Sequence, residues 1–367
     1  MCRTFFHENH EKNGSGQMNL FQQKVTGLRK VLAESHTKAV LLTQQKNVSW
    51  LTGGRSHVNP ATERAVASIL LTGEDVTLFV NNIEGKRLIE EEFGSHFDDV
   101  REFPWYEPLS LEGYTTDQEL EGILQPLRTT VLPDEKVEVK TFGKETAAAI
   151  ENAAFHLTRG MTEFEVAGLV AKACWERGIE PVVNLVAADR RVFTRRHPLP
   201  TDAVIDEYVL LVLCGRRKGR FMSVSRLVHF GSPGEELTRR HEAVATIDAR
   251  IINATRSGTD YAHLFNEMTQ AYEDTGFPEE WTFHHQGGLS GFASREQLLL
   301  PGLSAKYVKN DQIYAWNPSI AGVKSEDTIL VEDEPKILTF TGDFPVETVQ
   351  LDGAQQERPA ILVRRRL

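Results

Sequence analysis

The sequence predicts an α+β fold in two domains. At 367 residues the chain is long enough for two hydrophobic cores. Short apolar runs alternate with helical patterns across residues 20–135, which is typical of a small α/β domain. The second half begins with helical patterns and continues with apolar strands. An acidic, proline-containing stretch at 133–143 separates the two patterns, so we divide the chain into residues 18–137 and 138–367.

Residues 1–17 precede the first amphipathic pattern. They are polar, contain the run Asn13-Gly14-Ser15-Gly16 and lack the apolar core of a secretory signal. We therefore expect a disordered N-terminal extension. A helix is expected to begin just after Met18.

The first domain shows three strand patterns. Apolar, β-branched runs at 39–43, 66–71 and 76–80 predict strands, and the Gly-containing segment 72–75 predicts a turn between the second and the third. The apolar spacing across 84–93 is helical. A small α/β domain is the expected result.

The second domain opens with a helix at 145–156 and a second helix starting at Thr162. Thr162 and Glu165 have capping-box spacing, and Met161 with Val166 has the spacing of a hydrophobic staple. Apolar runs at 208–214 and 221–230 flank the glycine-bounded segment 215–219 and predict a hairpin. A long helix near 237–257 and strands at 282–291, 312–317 and 328–331 complete an α+β pattern.

Composition restricts the partners of the protein. A formal net charge of −11 argues against general nucleic-acid binding, which needs a basic surface. No apolar run is long enough for a membrane span, so a soluble protein is expected. Three scattered cysteines do not make a disulfide framework or a Cys-rich zinc site, which favours a reducing cytoplasm. A small molecule or short peptide is the expected partner.

Several motifs follow one another in a characteristic order. They are Asn47-Val-Ser-Trp-Leu-Thr-Gly53, Gly160-Met-Thr-Glu-Phe-Glu165, His197-Pro198, an apolar strand ending at Gly215, Ser225-Arg226, a histidine- and glycine-containing segment at 284–291, and Glu326-Asp327-Thr328. In this order and spacing they resemble the motifs of the creatinase, prolidase and aminopeptidase P family, from about residue 18 to the low 340s. The resemblance implies a creatinase-like N-terminal domain and a pita-bread catalytic domain, a curved antiparallel sheet with helices on its outer face.

The resemblance also implies a metal site, and here the chain departs from the family. The peptidases of the family hold two divalent ions with two Asp, one His and two Glu. Those positions fall on Leu213, Ser223, Gly288, Asn317 and Glu326. One carboxylate does not replace the hydration shells of two dications, so we expect no metal and no other cofactor. The alternative is a shifted metal site made of Asp202, Asp206, His284, His285 and Glu296.

The resemblance to creatinase, a metal-free member, implies that His197 is the general acid/base. An imidazole titrates near neutral pH and can carry a proton from water to a leaving nitrogen. Glu326 is expected to orient an amide or amidine nitrogen, and the Asn317 amide to hydrogen-bond a polar substrate. The alternatives are that His197 caps a loop and that Glu326 pairs with Lys324.

Substrate-binding residues are expected around these groups. An excess of Arg and Lys between 189 and 226 favours a carboxylated substrate, with Arg196 and Arg226 beside the cleft. His284 and His285 are expected to line it, with glycines that let a ligand approach the backbone. Arg295 and Glu296 are expected either in the same wall or in an exposed ion pair at a helix start.

The N-terminal domain of a second subunit often completes the pocket in this family. Arg55 and His57 follow the Asn47–Gly53 motif and are placed for that role, which implies a homodimer.

Three hypotheses follow. The first is a metal-independent, creatinase-like hydrolase of a C–N bond in a small carboxylated amide or amidine. The second is a metal-dependent Xaa-Pro aminopeptidase or dipeptidase. The third is a non-catalytic protein that binds a small molecule or peptide.

Overall fold

A computed structural model describes residues 3–4, 18–107 and 109–365. The chain divides into two compact units, Met1–Thr129 with Lys218–Arg220 and Thr130–Arg217 with Phe221–Leu367. The first unit thus ends a few residues before the predicted boundary at 137. The expected disordered segment 1–17 lies outside the described residues, apart from Arg3–Thr4, which form a strand.

The first unit contains a mixed five-stranded sheet with the order β1-β5-β4-β3-β2. Its strands are β1 Arg3–Thr4, β2 Ala39–Gln44, β3 Arg64–Thr72, β4 Val76–Asn81 and β5 Asp99–Phe103. Its helices are α1 Leu20–Glu34, α2 Gln45–Thr52, α3 Gly85–Arg87, which continues into a π-helical turn at Leu88–Phe93, and α4 Glu121–Arg128. β4 and β5 are parallel, and the other neighbours are antiparallel. The predicted helix and strands of this half are confirmed.

The Asn47–Gly53 motif forms α2, which ends at Gly53 in the left-handed conformation, with φ 72°. The Asn47 amide is buried and donates to Asp117 Oδ2 at 2.9 Å. The same carboxylate accepts from the backbone N–H groups of Thr43 and Gln44 at 3.0 and 2.9 Å. The motif therefore fixes the passage from β2 into α2.

The second unit contains two larger sheets and two short ribbons. The sheets have the orders β18-β8-β7-β6 and β10-β9-β11-β14-β15. The helices are α5 Lys136–His156, α6 Glu163–Trp175, α7 Arg190–Thr194, α8 Glu235–Ala254 and α9 Tyr261–Asp274. The strands are β6 Glu180–Ala188, β7 Tyr208–Arg217, β8 Arg220–Phe230, β9 Gly287–Ser290, β10 Gln297–Leu298, β11 Ile313–Trp316, β12 Ser319–Ile320, β13 Val323–Lys324, β14 Asp327–Val331, β15 Pro335–Ile337, β16 Val346–Leu351, β17 Ala354–Pro359 and β18 Leu362–Arg364.

Two local predictions of the second half are confirmed. The capping box at Thr162 and Glu165 begins α6, with the Glu165 N–H donating to the Thr162 side chain. The hairpin of β7 and β8 turns at Lys218 and Gly219, which both have positive φ, as a tight right-twisted hairpin requires. The strand predicted at 282–291 is wrong in its first half, because Glu280–Phe283 forms a 3₁₀ turn and the strand begins only at Gly287.

Alternation along β7 sorts its side chains between two cores. Leu210 and Val212 pack in one cluster with residues of α8 and α9. Leu211 and Leu213 pack in the other cluster with residues of α5 and α6. Because successive strand residues point to opposite faces, this sorting decides which side chains of β7 and β8 line the site described below.

The helices and the cysteines relate to what the composition predicted. Among the described residues, no helix has both the length and the apolar character needed to cross a bilayer. Cys174 and Cys214 are buried free thiols, while Cys2 lies outside the described residues.

Candidate active site

Three histidines meet in the second unit. The Nε2 atoms of His197 and His284 are 2.9 Å apart, and the rings of His284 and His285 stack at 4.4 Å. The His197 and His285 ring centroids are 5.9 Å apart. His284 is buried, His285 is half-buried and His197 is exposed. The structure thus brings together three residues that the sequence predicted separately as site residues.

A buried glutamate anchors the loop that carries His197. Glu163 Oε1 accepts from the Ala188 N–H at 2.7 Å, and its Oε2 accepts from the N–H and the hydroxyl of Thr201 at 2.8 and 2.7 Å. Arg191 forms an ion pair with the same carboxylate and also donates to the Leu199 carbonyl at 3.0 Å. Both ends of the segment between β6 and Thr201 are therefore tied to one side chain at the start of α6.

A second anchor holds His284 and His285. Gln286 accepts from the Tyr272 hydroxyl at 2.7 Å and donates to the Trp281 carbonyl at 3.2 Å. The backbone carbonyl of Gln286 accepts from the backbone N–H of Asn317 at 3.1 Å. The Gln286 side chain thus closes the 3₁₀ turn before the strand and presents the histidines at its end, which explains why the strand does not extend back to 282.

The glycines that follow serve the sheet rather than a ligand. Gly287 and Gly288 have φ values of 101° and 149°. A Cβ atom on Gly287 would lie 2.0 Å from the Ala315 carbonyl oxygen, and one on Gly288 would lie 2.1 Å from that of Gln297. The expectation that these glycines open the backbone to a substrate is therefore corrected, because neighbouring strands already occupy that space.

Glu326 lies in a cluster with two cations. Its Oε2 is 2.9 Å from Lys324 Nζ and accepts from the Ser225 hydroxyl at 2.5 Å. Its Oε1 is 3.4 Å from a terminal nitrogen of Arg295. Burial by itself would raise the pKa of Glu326, but Lys324, Arg295 and Ser225 lower it below its ordinary value. The alternative interpretation of Glu326, an ion pair with Lys324, is confirmed.

Cys214, and not Leu213, is the β7 residue beside Ser223. The Ser223 hydroxyl donates to Cys214 Sγ at 3.4 Å, and Arg295 donates to the Ser223 oxygen at 3.2 Å. Leu213 points to the opposite face and is fully buried in the core with Ile313 and Leu330. Cys214, rather than Leu213, therefore faces the same side of the sheet as Ser223. Burial raises the pKa of the Cys214 thiol, so this residue is neutral.

The imidazoles of the cluster are neutral at pH 7. Burial, with the positive charge of Lys324, lowers the pKa of His197 and takes that of His284 to about 2. Burial, with Arg295 and Lys324, lowers the pKa of His285 to about 4. The fixed cations are therefore close enough to the histidines to act on their protonation.

The residues that the resemblance assigns to metal positions do not fit a pair of divalent ions. Leu213 and its neighbour Cys214, Ser223, Gly288 and Asn317 offer no carboxylate or imidazole, and Glu326 is engaged by two cations. Metal pairs need several anionic or imidazole donors to replace water. The shifted set with Asp202, Asp206 and Glu296 is not assembled either. Among the residues that the structure describes, the metal-ligating side chains that group in threes or more are His197, His284 and His285.

Three imidazoles are one of the donor sets that hold a single zinc ion, with their ligand atoms here within 4.8 Å of one another. However, Lys324 lowers the pKa of all three histidines, so its charge repels a proton and repels a dication more strongly. The three histidines therefore have the donor atoms for one zinc ion, but the positive charge of Lys324 disfavours its binding.

The predicted substrate-binding arginines have internal partners. Arg196 forms an ion pair with Glu280 and donates to the Ser319 hydroxyl at 3.0 Å. Arg226 is fully buried and pairs with Glu151 and Asp327 at 2.8 and 3.2 Å, on the strand face opposite Ser225. These contacts direct both guanidinium groups to internal partners and not to the three histidines.

The remaining predicted site residues are placed as follows. The Glu296 carboxylate accepts from the N–H groups of Phe292 and Ala293 at 3.0 and 3.1 Å, and Arg295 pairs with Glu326 instead of with Glu296. Asn317 is buried, and its side-chain oxygen has no hydrogen-bond partner among the described residues. Arg55 and His57 belong to the first unit, where Arg55 pairs with Glu92 at 2.6 Å.

The sequence analysis missed Lys324 and Arg295 as site residues. Lys324 had been considered only as an ion-pair partner of Glu326, and Arg295 only with Glu296, either in the cleft wall or in an exposed ion pair. The signal for Lys324 was its spacing of two from Glu326, which places both side chains on one face of an extended segment.

Comparisons with known proteins agree with this architecture. Residues 24–156 match the model of the creatinase/prolidase N-terminal domain, and residues 138–333 match that of metallopeptidase family M24. An uncharacterized peptidase of Staphylococcus epidermidis is 23% identical over 359 residues, which cover 86% of this chain and 98% of the relative. A Xaa-Pro dipeptidase of Pyrococcus horikoshii is 23% identical over 361 residues, which cover 88% and 99%.

Solved structures support the predicted fold. The prolidase of Pyrococcus horikoshii superposes with a TM-score of 0.72 at 19% identity, covering 87% of this chain and 98% of that one. The N-terminal domain of the FACT complex subunit SPT16 from chickpea gives a TM-score of 0.66 at 10% identity, covering 89% and 97%. The predicted α+β architecture, a creatinase-like domain followed by a pita-bread domain, is confirmed.

The matched family model covers more than half of the chain. This relationship places the protein among hydrolases that cut peptide C–N bonds. Together with the order of its motifs and the fold of its second unit, it shows that the chain belongs to metallopeptidase family M24.

Proposed function

We propose that the chain hydrolyses a C–N bond in a small carboxylated amide or amidine without a divalent metal, and that His197 carries the proton. The observation that supports this most strongly is the buried cluster of Lys324, Glu326 and Arg295. Two cations there share the one carboxylate that matches a ligand of the family's metal pair. Fixed side-chain charge thus takes the place of metal charge.

The geometry of His197 suits a proton carrier. Its Nε2 lies 2.9 Å from His284 Nε2, so one ring donates a hydrogen bond to the other. In the tautomer with the proton on His197 Nε2, the lone pair on Nδ1 is left to accept a proton from water. The water oxygen attacks the carbonyl or amidine carbon, and His197 returns the proton to the nitrogen as the C–N bond breaks. The lowered pKa of His197 keeps this base neutral at pH 7.

Asn317 and Glu326 have different parts in this scheme. The Asn317 side-chain oxygen is buried and accepts no hydrogen bond from the part of the chain that the structure describes, so it is available to accept one from a substrate N–H. Both oxygens of Glu326 are already engaged, so we assign it a positioning role on Lys324 and Arg295 rather than a direct grip on the substrate nitrogen. Its predicted catalytic role stays a prediction.

A second candidate is a metal-dependent Xaa-Pro dipeptidase. It is favoured by the name of the Pyrococcus horikoshii relative and by the three imidazoles, which have the donors for one ion. The two candidates differ in what chelation does to turnover. Loss of activity on removal of a bound ion, with recovery on its return, would select the second candidate.

A third candidate is a protein that binds a ligand in the cleft without turning it over. The fold occurs in a FACT complex subunit, so membership of the fold does not require peptidase activity. Saturable binding of a ligand that is recovered unchanged after long incubation would select this candidate.

We also propose that the working unit is a homodimer in which Arg55 and His57 of one subunit complete the site of the other. The proposal rests on the position of both residues directly after α2. Two inactive variants, Arg55→Ala and His197→Ala, should regain part of the activity when mixed if sites are shared. Mixtures that stay inactive while dimers exchange subunits would contradict it.

The proposed function is tested by a substrate panel on chelator-treated protein. The panel contains N-acyl, N-carbamoyl and N-amidino amino acids, their uncharged amide counterparts, and Xaa-Pro dipeptides. We expect release of an amine from a carboxylated member and none from its uncharged counterpart. Turnover of Xaa-Pro dipeptides alone, and only with added metal, would contradict the proposal.

A further inference from the structure

The cluster around Glu326 holds more positive than negative charge. Lys324 and Arg295 are cationic, and both are mostly buried, with 5% and 13% of their side-chain surface exposed. Within the described ranges, Glu326 is the one carboxylate that forms ion pairs with both. The next carboxylate along the chain, Asp327, is engaged by Arg226 and Arg358. Burying a cation without a counter-ion is costly, so this cluster is short of one negative charge.

The second observation is a set of buried polar atoms without partners around the same cations. Arg295 Nε and His285 Nδ1 have no hydrogen-bond partner among the described residues, and the charges of Arg295 and Lys324 act on the pKa of His285. The terminal nitrogens of Arg295 are directed to Ser223, Glu326 and the Ser294 carbonyl at 3.2, 3.4 and 2.6 Å. Since buried polar groups are normally satisfied, the unpartnered N–H of the Arg295 guanidinium points to an absent acceptor, to which the neutral His285 ring can also donate in the tautomer with its proton on Nδ1.

We propose that Lys324 and Arg295 form an anion site that receives the carboxylate of the substrate where relatives of the family hold their metal pair. This inference rests on the proposed function only for the identity of the anion as a substrate carboxylate. A planar carboxylate suits a guanidinium and a neighbouring ammonium better than a neutral group does. Glu326 competes internally for the same cations and keeps the site formed when no anion is bound.

The competition predicts effects of opposite sign for two neighbouring residues. Lys324→Met removes one cation and should weaken anion binding at least tenfold. Glu326→Gln removes the internal competitor and should strengthen anion binding at least tenfold. A merely structural role for the cluster would lower the melting temperature of both variants without changing their response to an anion.

The experiment measures the melting temperature of the full chain as acetate is added at constant ionic strength, with acetamide as the uncharged counterpart. We expect acetate to raise the melting temperature of both the unaltered protein and Glu326→Gln. The variant should respond at a lower acetate concentration than the unaltered protein, and acetamide should have no effect on either. Arg239→Gln, which removes an exposed cation of α8, is the matched control and should respond as the unaltered protein does.

Arg295→Gln serves as the second cation variant if Lys324→Met does not fold. No stabilisation by acetate, or an equal response in Glu326→Gln and the unaltered protein, would overturn the proposal. Stronger stabilisation by inorganic phosphate than by acetate would overturn the assignment to a carboxylate. Acetate binding without turnover of any panel substrate would contradict the proposed hydrolase activity but support the anion site. Turnover without an acetate response would support the hydrolase activity and contradict the anion site.

Discussion

Lys324 Nζ and Glu326 Oε2 lie 2.9 Å apart in a buried ion pair, and Arg295 contacts the other oxygen of the same carboxylate. The two residues are separated by one position, so both side chains extend from the same face of the chain. A buried pair of this kind contributes little net stability by itself, because desolvation offsets the attraction. The proposal that these charges act in the chemistry of the site, and not in folding, is therefore tested by function as well as by stability.

His197→Ala should abolish turnover. The imidazole is the proton carrier of the proposed mechanism, and removing such a group typically slows catalysis by about 10²–10⁴-fold. We would measure the turnover rate of the carboxylated substrate that the substrate panel identifies. His263→Ala, which removes an exposed histidine of α9, is the control and should retain full activity. Equal rates in the two variants would contradict the role of His197.

Glu163→Gln should destabilise the protein and impair its site. The carboxylate is fully buried and holds Ala188, Thr201 and the half-buried Arg191, so its neutralisation weakens several charge-assisted hydrogen bonds at a cost of about 3 kcal/mol. Chemical denaturation measures the free energy of unfolding. Glu165→Gln, on the same helix turn, is the control, because its exposed cap should cost less than about 1 kcal/mol. Similar losses in both variants would contradict the anchoring role.

Acid should destabilise the protein through the buried histidines. The pKa of His284 is lowered from 6.5 to about 2, so the unfolded state binds more protons than the folded state between these values. The contribution of neutral His284 to the free energy of unfolding is therefore fully present above about pH 6.5, and it is lost as the pH falls below that value. The loss is on the order of 2 kcal/mol at pH 5 for this residue.

The measurement is the difference in unfolding free energy between pH 7 and pH 5. His284→Phe should reduce that difference by most of this amount, whereas the exposed-histidine variant His263→Phe should not change it. An unchanged pH dependence in His284→Phe would contradict the burial of a neutral imidazole at this position.

Gly288→Ala should cost far more stability than Gly258→Ala. Both glycines have positive φ, so both replacements strain the backbone by about 1–3 kcal/mol. A Cβ on Gly288 would also lie 2.1 Å from the Gln297 carbonyl oxygen, while one on Gly258 would meet nothing within 4 Å. Thermal unfolding of the two variants measures the difference. Equal melting temperatures would show that the strands do not approach each other as described.

Sequence reasoning succeeded where structure is decided by neighbouring residues. The capping box at Thr162 and Glu165 and the hairpin turn at Lys218 and Gly219 are local features, and both formed as predicted. The strand at 282–291 failed in its first half because Gln286 bonds to Tyr272 and Trp281, and such contacts leave no periodic signal.

The site depended on register and on contacts between distant segments. Leu213 and Cys214 differ by one position, and one position in a strand exchanges the core face for the site face. The family motifs placed His197 and His284 in the site, but their contact at 2.9 Å joins residues 87 positions apart. The cationic cluster was missed because Arg295 and Lys324 are 29 positions apart and come together only through their shared contacts with Glu326.

The metal content of the purified protein tests the central claim most directly. The protein is equilibrated with manganese, zinc and cobalt, freed of unbound ions and analysed for metal per chain. Because Lys324 and Arg295 supply the positive charge of the site, we expect far less than one ion per chain and unchanged turnover after chelation. Two tightly held divalent ions per chain, with activity that depends on them, would contradict the account.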